Sequence, residues 1–155
     1  MRGFLSQFAI ALCLWGSSCA GAATPSQVLE GVWYGTHVQP DVVSAPLHWK
    51  LWRQSDGRFV VDYYVQAGCF LSYSHRETGR WAARRGITTV VTEHIGAHAL
   101  SPSSKGYLQR FKIIEARADR IRVKQTGADA DLLLTRIPAD FKMSALDLCP
   151  AESAG

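Results

Sequence analysis

The histidines of this sequence are the residues best suited to metal binding or acid–base catalysis, and only His94 and His98 lie close together. On a helix, this spacing would let both rings hold one metal ion. The intervening Ile95-Gly96 is typical of the end of a strand, where that geometry is not expected. We therefore favour a surface loop over a metal site, although His37 or His75 could still join the pair at one end of the fold.

Nucleophilic and carboxylate chemistry have no recognisable motif in this sequence. It contains no Gly-x-Ser-x-Gly elbow, in which a strained turn exposes a serine nucleophile. Its carboxylates are few and are not clustered. We therefore expect a protein that is not an enzyme and that holds no cofactor and no metal.

The N-terminal segment is typical of a secretory signal peptide. Arg2 supplies the positive charge, residues 4–15 are mostly apolar, and Ala20-Gly21-Ala22 matches an A-x-A cleavage site. The apolar stretch is shorter than the roughly 20 residues that a bilayer-spanning helix needs. The sequence thus predicts a signal peptide over residues 1–22 and no transmembrane segment.

Signal-peptide cleavage is expected after Ala22, with Ala23 as the alternative. Lipoprotein processing at Cys19 is disfavoured, because Gly16-Ser17-Ser18 lacks the aliphatic residue expected three positions upstream. The mature protein is therefore expected in the periplasm or secreted.

Export changes the cysteine count. Cys13 and Cys19 leave with the signal peptide, so only Cys69 and Cys149 remain. An even pair in an exported protein is normally a disulfide. Zinc is the weaker alternative, because no CxxC or HxxxH motif lies beside either cysteine.

The charge of the chain does not indicate nucleic-acid binding. Removal of Arg2 lowers the formal net charge from +4 to +3, and the basic residues are spread over many segments. The densest group is Arg80, Arg84 and Arg85, beside Trp81. A nucleic-acid site would need a larger basic patch with exposed aromatic residues, so we interpret this group as a solvated hairpin.

Most of the mature chain has the pattern of β-strands. Alternation of apolar with polar residues indicates strands with one buried face, and it is clearest at Leu47, Trp49 and Leu51, at Phe59, Val61, Tyr63 and Val65, and at Ile121 and Val123. Further strand candidates are residues 88–95, 107–114 and 132–137. Turn signals separate the strands at Ser55-Asp56-Gly57, Thr78-Gly79, Arg85-Gly86, Ala118-Asp119 and Thr126-Gly127.

These elements predict an all-β protein of about eight or nine antiparallel strands. Closure into an up-and-down barrel removes the exposed strand edges, whereas a sandwich only reduces them. Composition alone does not choose between the two. Helix is expected only as single turns, at residues 26–29 and within 139–148.

One local pattern favours the barrel. Gly31-Val32-Trp33 opens the first strand, and Arg136 lies in the last one. This arrangement resembles the lipocalins and their wider calycin relatives, in which the Trp packs across the closed end of the barrel under an Arg. Lipocalins also often tie the C-terminal tail to the barrel by a disulfide, which matches the placement of Cys69 and Cys149.

The resemblance implies a lipocalin-like barrel over residues 23–140 and a tail, residues 141–155, tied back by the disulfide. The chain is shorter than typical lipocalins and lacks room for their long C-terminal helix. It therefore looks more like a small bacterial lipocalin-like protein, and the ligand specificity of the family is not carried over.

Successive side chains of a strand point to opposite faces, so the odd or even position of a residue (its parity) predicts whether it points into the barrel. Trp33 and His37 share the inner face with residues of the next two strands, namely Trp49, Leu51, Phe59, Val61, Tyr63 and Val65. On weaker patterns, Leu71, Tyr73, Val91, Phe111 and Ile113 also face inward. Four polar residues also occupy inward-facing positions by the same alternation: Arg53, His75, Glu93 and Gln109. The candidate ligand-binding residues are Trp49, Arg53, Tyr63, Tyr73 and His75.

Two functions are compatible with such a barrel. A hollow barrel would hold a small, partly apolar molecule among aromatic and a few polar side chains. A filled barrel would act through its surface as an inhibitor, chaperone or envelope-assembly factor. In the second case, Trp52 and the Arg80-Trp81 hairpin are the candidate contacts with a protein partner.

Overall fold

The computed structural model describes residues 25–37, 45–128, 131–146 and 148–149. The predicted signal peptide, including Cys19, lies outside the described residues.

The described residues form nine strands and one short helix. Helix α1 is Pro25–Leu29, and a single 3₁₀ turn spans Met143–Ala145. The strands are β1 Gly31–His37, β2 Leu47–Arg53, β3 Arg58–Ala67, β4 Phe70–Arg84, β5 Ile87–Ile95, β6 His98–Ala99, β7 Leu108–Ala116, β8 Arg120–Gln125 and β9 Asp131–Arg136.

Eight of these strands close into an antiparallel barrel. The ring runs β1–β2–β3–β4–β5–β7–β8–β9 and returns to β1, because β9 pairs with β1 and β5 pairs with both β4 and β7. The two-residue strand β6 is additional and lies on β5. The predicted all-β, closed barrel is therefore confirmed, and closure leaves the ring without free edges.

Tight turns connect the strands where the sequence predicts them. In the β2–β3 hairpin, Gly57 has a positive φ of 83°, and the Arg58 amide donates a hydrogen bond to Asp56 Oδ1 at 3.0 Å. In the β4–β5 hairpin, Arg85 and Gly86 have φ values of 52° and 76°. Two consecutive positive values are typical of two-residue hairpins, whose twist matches that of the strands.

The turn predicted at Thr78-Gly79 is wrong, because both residues lie inside the continuous strand β4. Gly79 serves close packing instead. A Cβ built at this position would overlap the Val91 carbonyl oxygen and touch the Phe59 ring. The glycine therefore allows neighbouring groups to approach the backbone.

Trp33 closes one end of the barrel. Its side chain is fully buried, and its indole Nε1 donates a hydrogen bond to the Leu29 carbonyl of α1 at 3.0 Å. The Arg136 guanidinium lies over the ring, 4.2 Å from its centroid, and donates to the Val28 carbonyl at 2.9 Å. Gly31 has a φ of 109°, and a Cβ there would overlap that guanidinium, so the glycine of the Gly-x-Trp motif makes room for the stack.

The apolar core lies inside the barrel, as alternation along the strands requires. It is one cluster of buried residues, namely Leu29, Trp33, Trp49, Leu51, Phe59, Val61, Trp81, Ile121, Val123 and Leu134.

The C-terminal segment crosses the outer surface of the barrel. Lys50 points outward from β2, and its ammonium group donates to the Ala139 and Phe141 carbonyls at 2.9 and 2.8 Å. Beyond them, Met143 is buried. These contacts hold the segment against the strands before it reaches the disulfide.

The predicted disulfide between Cys69 and Cys149 is confirmed, with the two Cα atoms 4.8 Å apart. It joins the β3–β4 turn to the C-terminal segment across 80 residues. Closing a loop of this length stabilises the fold by about 2–5 kcal/mol, mainly by restricting the unfolded chain. Among the described residues, no helix has the length and apolar character needed to cross a membrane.

Candidate ligand-binding cavity

A cavity of about 320 Å³ lies inside the barrel. Small-molecule sites typically measure about 300–1,000 Å³, so the cavity is at the lower end of that range. Most of its lining residues are apolar or aromatic: Leu47, Trp49, Leu51, Phe59, Val61, Tyr63, Val90, Phe111, Val123, Leu132 and Leu134. The polar ones are His37, Arg53, Glu77, Gln109 and Gln125. Side chains therefore do not fill the interior completely.

An aromatic wall forms one side of the cavity. Trp49 on β2 pairs with Tyr63 on β3, and their ring centroids are 6.3 Å apart. Gly35 lies opposite Trp49 on β1, and a Cβ there would overlap the indole. The absence of a side chain at Gly35 therefore leaves space for the Trp49 ring inside the barrel.

Tyr63 and Glu77 form the more polar part of this wall. The Tyr63 ring stacks on His75 with centroids 4.8 Å apart, and His75 Nε2 lies 3.4 Å from Glu77 Oε1. Thr92 donates to the other Glu77 oxygen at 3.5 Å. Burial, and secondarily the nearby Glu77 carboxylate, raise the pKa of Tyr63. Tyr63 is therefore a neutral phenol, able to donate a hydrogen bond, at physiological pH.

Arg53 is the charged group deepest in the cavity wall, with only 4% of its surface exposed. Its Nη1 atom is buried and has no hydrogen-bond partner, and no described residue forms an ion pair with it. Its guanidinium lies 5.4 Å from the centroid of the Trp81 ring. Burial lowers the pKa of Arg53 to about 10, so the group is still protonated near neutral pH.

The structure brings together three of the five candidate residues. Trp49, Arg53 and Tyr63 all line the cavity. His75 lies on the inner face, stacked on Tyr63 and 3.4 Å from Glu77 Oε1, but it is not one of the residues that line the cavity.

The predicted inward position of Tyr73 is corrected. Tyr63 pairs with His75 but Tyr64 pairs with Tyr73, so Ser74 is an extra residue on β4. Such a bulge reverses the alternation of side chains on the strand beyond it. Tyr73 consequently lies on the outer face, 59% exposed, with its ring edge-on to Tyr64 at 5.7 Å.

The same kind of correction applies to three weaker parity predictions: Leu71, Val91 and Glu93. Leu71 lies beyond the β4 bulge and pairs with an outward residue of β3. On β5, Val90 lines the cavity opposite Trp81, so its neighbour Val91 faces outward. Glu93 pairs with the exposed Arg80 at 3.2 Å.

Trp81 also departs from its predicted place on an exposed hairpin. It is 7% exposed, and its indole Nε1 donates to the Gln54 carbonyl at 3.1 Å. Trp52, in contrast, is 51% exposed, as its parity predicts.

Sequence reasoning missed Glu77, Val90 and Gln125 as cavity residues. Glu77 shares the inward parity of His75, but it stands next to the Thr78-Gly79 pair that the sequence predicts as a turn, so the strand is not expected to reach it. Val90 lies in a run of β-branched residues that is apolar on both faces, and such a run carries no parity signal.

A second buried polar group lies on the outer face of the barrel. His48 is 4% exposed; its Nδ1 is 2.7 Å from the Tyr34 hydroxyl and its Nε2 is 2.9 Å from Gln66 Oε1. The Gln66 amide nitrogen donates to the Gly68 carbonyl, so Oε1 faces the histidine as an acceptor. His48 therefore donates from Nε2 and accepts from Tyr34, and both ring nitrogens have partners.

His94 and His98 lie in the exposed β5–β6 hairpin and not on a helix. Across the described ranges, no three His, Cys, Asp or Glu side chains are grouped so that they could hold a metal ion.

No protein-family model matches the chain, and no curated protein sequence is significantly similar to it.

Proposed function

We propose that this protein is an exported, lipocalin-like binding protein that holds one small, partly apolar molecule inside its barrel and catalyses no reaction on it. The observation that carries the proposal is the cavity of about 320 Å³, with its aromatic wall and its few polar groups. Pockets of this composition bury most of the surface of a ligand and orient it through a few polar contacts.

The lipocalin-like assignment is supported by the closed end of the barrel. The glycine before Trp33 leaves room for a guanidinium from the last strand, which lies over the indole. Export is supported by the Cys69–Cys149 disulfide, because such bonds persist in oxidising compartments, and by the signal-peptide pattern of residues 1–22.

A neutral fluorescent probe, N-phenyl-1-naphthylamine, tests the proposal without relying on any charged group. We expect saturable binding of about one probe per chain, with quenching of tryptophan fluorescence. Tyr63→Ala should weaken binding by about fivefold to tenfold, because the ring forms part of the cavity wall. Tyr64→Ala is the matched control, since the adjacent tyrosine faces outward against Tyr73.

Equal effects of the two substitutions, or the absence of saturable binding, would contradict a ligand inside the barrel. The surface would then be the place to search for a protein partner, beginning at the exposed Trp52. Native mass spectrometry of protein purified from its own periplasm complements the titration, because it reports a bound small molecule and its stoichiometry directly.

A further inference from the structure

We infer that the ligand carries a single carboxylate, which binds to the buried guanidinium of Arg53. This inference rests on the proposed function and specifies the chemical class of the ligand. It follows from three properties of Arg53: deep burial, a position in the cavity wall, and a donor without a partner.

A buried charge without a partner destabilises a folded protein unless something compensates for it. Buried cations are normally paired with a carboxylate or hydrogen-bonded on every donor. Among the described residues, no acidic group pairs with Arg53, and its contact with the Trp81 ring leaves Nη1 without an acceptor. A ligand acceptor that reaches the guanidinium through the cavity wall would supply a hydrogen bond that the protein does not provide.

The other polar groups of the cavity limit the charge of that acceptor. Among the lining residues that the structure describes, Arg53 is the only Lys or Arg, and Glu77 already contributes a carboxylate to the cavity wall. A doubly charged phosphate would leave one charge unpaired in a cavity that already contains the Glu77 carboxylate. A single carboxylate matches one guanidinium in charge and in planar geometry.

The other side chains of the cavity wall determine the polarity and size of the ligand away from its acid group. The side chains around Arg53 are mainly Leu51, Phe59 and Val61 and their apolar neighbours, so the ligand must be apolar away from its acid group. The cavity volume of about 320 Å³ lies at the lower end of the range for small-molecule sites, so the ligand must be small. A medium-chain fatty acid or a small aromatic acid fits this volume.

Octanoate and octanamide form a matched pair of probes, because they differ in charge but hardly in size. At pH 7, isothermal titration calorimetry of the wild-type protein should show octanoate binding roughly tenfold to a hundredfold more tightly, the range expected for a charge-assisted hydrogen bond. Arg53→Met should reduce this preference to about one while leaving octanamide binding nearly unchanged. Arg58→Met is the control, because it removes the same charge from an exposed turn where the side chain is 68% exposed.

The outcomes separate this inference from the proposed function. If octanamide binds the wild-type protein as tightly as octanoate, the carboxylate inference is overturned while the proposed function stands. If Arg53→Met keeps the preference, another group binds the acid and the inference is equally overturned. If neither probe nor N-phenyl-1-naphthylamine binds, the proposed function fails and the inference fails with it. The wild-type comparison needs no variant, so a folding defect of Arg53→Met does not prevent the test.

Discussion

His48 and Arg53 lie on the same strand and are equally buried, each with 4% of its surface exposed, yet their surroundings differ. His48 lies on the outer face, and Tyr34 and Gln66 bind both of its ring nitrogens. Arg53 lies on the inner face, with Nη1 unpartnered and a cavity beside it. Two equally buried polar groups on one strand therefore differ in whether the protein supplies their hydrogen-bond partners.

The difference lies in whether the protein satisfies the hydrogen bonds of the buried group. A fully bonded buried network stabilises one arrangement of the strands, whereas a donor left without a partner costs free energy in the unliganded fold. Residues that are kept at such a cost are candidates for binding. On β2, His48 is therefore expected to stabilise the fold, whereas Arg53 is the residue that we propose for ligand binding.

The largest expected effect is at His48. His48→Ala should lower the free energy of unfolding by about 2 kcal/mol, because it leaves the Tyr34 hydroxyl and Gln66 Oε1 without their partner. Urea denaturation measures the change, and His94→Ala in the exposed hairpin is the control, with an effect near zero. A loss of stability at His48 no larger than at His94 would mean that the outer network is not structural.

A smaller effect of opposite sign is expected at Arg53. Arg53→Met removes a buried, incompletely bonded charge, so it should raise the free energy of unfolding at pH 7 by about 1 kcal/mol once the lost contact with Trp81 is subtracted. The same denaturation experiment measures it. A substantial destabilisation would show that Arg53 is a structural residue.

The gain in unfolding free energy of Arg53→Met depends on pH, because the pKa of Arg53 is lowered in the folded protein. Below about pH 10 the group is protonated in the folded and the unfolded chain, so the full cost of its burial is present. Above that pH the folded chain releases the proton first, and the unfolded chain then binds more protons, so the wild-type protein recovers stability relative to Arg53→Met. The advantage of the variant should therefore be smaller at pH 11 than at pH 8.

The smallest expected difference is the one between the coupling energies of the two Arg–Trp contacts. Arg136 lies 4.2 Å from the Trp33 centroid and is hydrogen-bonded to backbone carbonyls, whereas Arg53 lies 5.4 Å from the centroid of Trp81. Double-mutant cycles to Ala should give a coupling of about 1 kcal/mol at Trp33–Arg136 and a smaller one at Trp81–Arg53. Equal couplings would contradict the view that only the first contact is structural.

Much of the fold could be predicted from the sequence, because alternation is a direct consequence of strand geometry. The pattern around Trp49, Leu51, Phe59 and Val61 places four cavity residues correctly, and the count of two mature cysteines predicts the disulfide. Arg53 follows from the same parity, although its missing partner could not be deduced from sequence.

The failures have local physical causes. The bulge at Ser74 has no glycine or other marker in the sequence, so simple alternation puts Tyr73 on the wrong face. Gly79 resembles a turn residue in sequence, whereas it is required by the close approach of Phe59 and the Val91 carbonyl. Trp81 lies among arginines in the sequence, and this pattern predicts an exposed position. Its ring instead packs beneath the Arg53 guanidinium.

The central claim is that Arg53 is kept unpaired for a ligand while His48 is satisfied by the protein. Side-chain ¹⁵N–¹H spectra recorded during an octanoate titration test it most directly, with the Arg53 signals assigned by their loss in Arg53→Met. We predict that the Arg53 guanidinium resonances shift and saturate with about one octanoate per chain, while the His48 ring resonances do not move. Unchanged Arg53 resonances in the presence of saturating octanoate, or shifts of equal size at both residues, would contradict the claim.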